Sequence, residues 1–190
     1  MDANLETFRG RTLEVAPCDP LAALGSFGEP PVAFFDAPSR EESWAAFGTA
    51  WEASADDRAS AMALLRAISR PDVVPQEEGP RPPGPFAGGM AFDLSRAPGA
   101  AWSGFPVARW RLPRFILWRR QGRSFVTAIA PAAELAAQVR VAATAADRVP
   151  RALGPDASPP LGALREDRGA WDRAMAQALQ AIKRGQVQKV

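Results

Sequence analysis

Histidine is absent from this 190-residue chain, and cysteine occurs once. Without an imidazole the chain cannot build a Ser-His-Asp triad, a histidine acid/base pair or a histidine metal site from its own residues. A single thiol, Cys18, excludes an internal disulfide and a cysteine zinc cluster. It stands in "VAPCDP", a turn-like context in which a structural or incidental role is expected. No apolar run approaches the roughly 18 residues of a membrane span, and the N-terminus lacks a basic-then-apolar leader. The simplest expectation is a soluble cytoplasmic protein. Charge of one sign is also scarce, since 23 basic and 21 acidic residues leave a net +2. The pI of about 9.3 overstates that balance. No basic stripe with interleaved aromatics is present, so nucleic-acid binding is not expected.

Lysine is the other rarity. Only Lys183 and Lys189 accompany an otherwise all-arginine set of basic residues. Arginine stays protonated in proteins, so a site that needs a titratable amine must use lysine.

What is present reads as an ordinary globular composition, 47% hydrophobic and 23% charged. Short strands are expected at 11–17 and 31–38, bounded by Pro and Gly, with a further strand at 42–54, either continuous or broken at Gly48. Asp56 and Asp57 start a helix whose Ala61, Leu64, Leu65 and Ile68 share one face, and Pro71 stops it. The Pro/Gly-rich stretch 73–85 reads as a surface loop. In "FAGGMAFD" (86–93) the paired glycines fit no phosphate-loop spacing, and predict a strand with a bulge or close backbone approach at Gly88–Gly89.

Residues 108–131 form the clearest hairpin, turning at Gln121-Gly122. Its arginines 109, 111, 114, 119, 120 and 123 are expected at solvated or edge positions. Pro131 opens a second helix, with Leu135, Val139 and Ala142 on one face, ending near Pro150. After a connection at 150–166, Asp167 is the candidate cap of a third helix. Trp171, Met175, Ala178, Leu179 and Ile182 predict a buried stripe along it. Lys183 and Arg184 suit its negative C-terminal end, and Gly185 suits the position just past it. The closing "QVQKV" starts a strand in which Lys189 shares a face with Val187. The order β-β-β-α-β-β-β-α-α-β predicts an α+β fold with antiparallel pairing, divided into 1–166 and 167–190. A chain ending just inside a new strand suggests a longer parent.

Four segments, in order, resemble the chorismate-utilising enzymes. "FFDAPSREESWAAFGTA" resembles their early F-x-x-P…G-x-G-x-A region, although it keeps only one of the two glycines. "GPFAGGMAFD" resembles the FGGxxFD strand, and "WSGFPVARWRLPRFILWRRQGRSFVT" the W-x-x-F-P…LPR hairpin. "WDRAMAQALQAIKRGQVQKV" resembles the helix that runs into the KVVLAR-type strand of the core. The resemblance spans most of residues 30–190. It implies the N-terminal part of a larger, mostly antiparallel α/β sandwich, monomeric when complete, with chorismate as substrate.

The same resemblance assigns Lys189. Isochorismate and salicylate synthases carry at that position the lysine thought to activate water, whereas anthranilate synthases, which use ammonia, generally carry Gln. The expected reaction is therefore conversion of chorismate to isochorismate, with Lys189 as catalytic base. Salicylate, aminodeoxychorismate and anthranilate synthase components are the alternatives. The general acid and the Mg²⁺ ligands are glutamates that the resemblance places after residue 190, so the fragment alone is expected to be inactive. A non-catalytic, partner-binding domain is the reading from another class.

Overall fold

The computed structural model describes residues 5–37, 41–70, 72–91, 93–94, 104–150 and 168–185. The chain divides into two compact units, Met1–Leu153 and Gly154–Val190. The boundary expected at 166/167 falls outside the described residues.

The first unit is built on one sheet of seven strands: β1 (Phe8–Val15), β2 (Pro31–Ala37), β3 (Glu42–Ala55), β4 (Gln76–Glu78), β5 (Ala87–Met90), β6 (Ala108–Arg120) and β7 (Arg123–Pro131). Their order is β2-β3-β6-β7-β1-β4, with β5 also paired to β6. Every pairing is antiparallel except that of β1 with β4. With helices α1 (Arg58–Ile68) and α2 (Ala132–Asp147) this is the expected α+β fold with a mostly antiparallel sheet.

Strand alternation sorts the core onto two faces. On one face Ala45, Phe47, Phe115, Leu117, Val126 and Ala128 meet Leu135, Ala142, Ala145 and Ala146 of α2. The other face carries Ala46, Ile116, Trp118, Phe125 and Ile129, against Leu64 and Ile68 of α1. A third, small-residue contact of Ala55, Ala61 and Ala108 lets the start of α1 approach the strands closely.

Local signals account for most of the boundaries. Asp57 caps α1 by accepting hydrogen bonds from the Ser60 N–H (2.9 Å) and hydroxyl (2.6 Å). The helix ends at Ile68, before Pro71, which is not among the described residues. Gln121 and Gly122 both have positive φ, 51° and 74°, the pattern of a type I′ turn that matches strand twist. At Gly88 the expected close approach is real. A Cβ there would overlap the Arg109 carbonyl oxygen, whereas one at Gly89 would meet nothing. No bulge accompanies it, because β5 pairs regularly with β6 from Ala87 to Met90. The segment 42–54 is one strand, with an irregularity between Thr49 and Trp51 next to Gly48 rather than a break.

Three expectations need correction. The first strand is Phe8–Val15, not 11–17, because its partner β7 begins at Arg123 and Val15 already faces Ser124. The stretch 73–85 is not loop throughout. Gln76–Glu78 pairs in parallel with β1, and the Gly10 N–H donates to the Pro75 carbonyl at 2.9 Å. In the second unit, α3 (Arg168–Lys183) has the predicted apolar stripe, but the stripe faces solvent: Trp171 is 66% and Leu179 54% exposed. An apolar stripe is buried only against a partner surface, and the described residues of that unit contain no second element.

A buried polar chain ties the sheet together. The Trp118 indole N–H donates to Thr127 Oγ1 at 3.0 Å, and Thr127 and Thr12 share a hydroxyl hydrogen bond of 2.7 Å. Gln76 Nε2 then donates to Thr12 Oγ1 at 2.8 Å and to the Glu78 carbonyl at 2.8 Å. Thr127→Val keeps the shape but strands the indole N–H, and is expected to cost about 1–3 kcal/mol. Urea unfolding of wild type and variant measures it, and an unchanged midpoint would contradict the assignment.

The hydrogen bonds from Ser60 hold the Asp57 carboxyl below its ordinary value of 3.8. A depressed carboxyl stabilises the fold fully above that ordinary value and loses its contribution as pH falls through the lowered one. The melting-temperature difference between wild type and Asp57→Ala should therefore be largest near neutral pH and shrink below about pH 3.8. Asp57→Asn, which also caps, should remain close to wild type at neutral pH. A pH-independent difference for Asp57→Ala would contradict the charged cap.

Candidate functional site

The residue with the sharpest chemical expectation lies just past α3. That helix is continuous from Arg168 because its residues after Gly169 contain neither Gly nor Pro until its end. Lys183 occupies the last turn, where a cation meets the negative end of the helix dipole. Gly185 then takes φ 68°, its N–H donating to the Ile182 carbonyl at 2.9 Å, while the Arg184 N–H donates to Gln180 at 3.0 Å. This is the expected glycine stop, and it accounts for Lys183 as a helix-end cation. Lys189 and the strand predicted around it lie outside the described residues, as does Asp167, the expected cap.

The first unit shows what its own titratable groups can do. Burial, the largest influence, raises the Cys18 thiol above its ordinary value of 9.0, with the Ser124 hydrogen bond opposing. Such a thiol stays protonated at neutral pH and is a poor nucleophile. Its backbone N–H donates to Ser124 Oγ at 3.1 Å, which pins the end of β1 against β7. Cys18 is thus a buried packing residue, within the structural or incidental role expected from its sequence context.

The acidic side chains along the sheet are largely engaged by arginine. Arg123 forms a two-pronged contact with Glu14, at 2.9 and 2.5 Å. That hydrogen bonding holds the Glu14 carboxyl below its ordinary value of 4.5 and pushes Arg123 up. Glu52 meets Arg111 at 2.5 Å and Arg109 at 3.5 Å, Glu29 meets Arg114 at 3.0 Å, and Glu42 meets Arg120 at 2.7 Å. These pairs sit at the surface and add little net stability. For Glu14 the consequence is chemical, since a carboxyl lowered by its guanidinium partner is ill suited to delivering a proton at neutral pH. The hairpin arginines named here are partly exposed, in accord with the solvated positions expected of them.

One pocket of about 130 Å³ opens between β1, β4 and the end of α1. Ile68, Val73, Val74 and Ile129 supply apolar walls, Gly10 and Gln76 part of the remaining lining, and the Asp72–Arg81 ion pair stands beside them. It is small against the roughly 300–1,000 Å³ of ordinary ligand pockets. Sequence reasoning did not find it, because it depends on a parallel pairing between Gly10 and Gln76 that no local pattern announces.

Among the described residues, no three His, Cys, Asp or Glu side chains come together to hold a metal ion. Those described residues supply no site of their own for the magnesium that the family resemblance implies. Among the same residues, no helix is long and apolar enough to cross a membrane.

No curated protein matches the chain. A family model described as "Chorismate binding enzyme" matches residues 3–190, nearly its whole length. The four motif-like segments, in their expected order on an α+β frame, agree with that match, and the chain belongs to the chorismate-binding enzyme family.

Proposed function

We propose that the protein is an isochorismate synthase, with Lys189 as the base that activates water. The single observation supporting this choice over the ammonia-using members is the identity of residue 189. Lysine stands where, by the resemblance, the ammonia-using anthranilate synthases generally carry Gln. In a chain that otherwise uses arginine almost throughout, this is one of two amines able to give up a proton.

The chemistry follows from the amine. Water is a weak nucleophile, and a lysine whose charged form is disfavoured by burial can be neutral at working pH. Neutral Lys189 Nζ takes a proton from water as the oxygen forms its bond to C2 of chorismate. The C4–O bond breaks, and the departing hydroxyl leaves as water after receiving a proton from a general acid. One water enters and one leaves, so the product is an isomer and no oxidant or reductant is needed. By resemblance the general acid is a glutamate that follows residue 190, as are the residues that would hold Mg²⁺. The metal, when bound, would neutralise the substrate carboxylate. Salicylate synthase is the nearest alternative, since it shares the lysine.

In the full-length protein, Lys189→Gln should lower isochorismate formation by about 100- to 10,000-fold, the usual worth of a positioned acid or base. Circular dichroism and melting temperature should be unchanged. Lys189→Arg should be equally impaired, because arginine keeps the charge but cannot accept the proton. The wild-type rate should rise with pH through the lysine pKa, and this limb should vanish in both variants. Isochorismate formation at the wild-type rate by Lys189→Gln would remove the role assigned to Lys189.

A further inference from the structure

We draw no further inference here: the strongest candidate, the pocket of about 130 Å³ between β1, β4 and the end of α1, is smaller than an ordinary ligand site, and nothing in the structure shows what fills it.

Discussion

The strand β6 is the constraint on which the first unit depends. Along one side it pairs with β3 over its whole length, and its other side is divided between β5 and β7. The middle of β6 is buried on both faces as well, with Leu112, Phe115, Ile116, Leu117 and Trp118 each at most 1% exposed. Burying an indole there forces its N–H to find a partner, since a stranded donor costs more than a made bond gains. Thr127 supplies it, Thr12 satisfies Thr127, and Gln76 satisfies Thr12. One aromatic side chain in the central strand thereby reaches through β7 and β1 to β4.

The same frame separates support from chemistry. Arginines along β1, β6 and β7 hold the neighbouring carboxylates in ion pairs, and burial keeps the lone thiol protonated. Glu14, lowered by Arg123, and the buried Cys18 thiol are not poised for proton transfer at neutral pH. The lysine proposed as a base comes instead after α3, where the glycine stop at Gly185 ends the helix four residues before it. The apolar face of α3 is the complement of this arrangement. Trp171, Met175, Leu179 and Ile182 keep a helical spacing and remain exposed.

Features set by neighbouring residues could be read from the sequence. The cap at Asp57, the turn at Gln121-Gly122, the start of α2 after Pro131 and the stop at Gly185 each depend on backbone preferences within a few residues. Gly88 was legible as a close approach, but its partner, the Arg109 carbonyl, was not. What escaped depends on distant pairing. β4 exists because Gln76 finds Thr12, 64 residues away, and nothing in a proline-rich stretch signals that. The turn of 3-10 helix at Pro20–Gly25 does have a local sign, Asp19 before Pro20, with the Asp19 carboxylate accepting from the Leu21 N–H. For α3 the periodicity was legible, but burial is a property of the surface a helix meets. The candidate base was found by resemblance and by the rarity of lysine, and its surroundings lie outside the described residues.

The most direct test of the account is the origin of the oxygen in the product. The full-length protein should be given chorismate in water enriched in ¹⁸O, and the product analysed by mass spectrometry with fragmentation. Water addition at C2 with loss of the C4 hydroxyl predicts isochorismate carrying one solvent oxygen at C2. An aminated product, or isochorismate that retains only the original substrate oxygens, would contradict it.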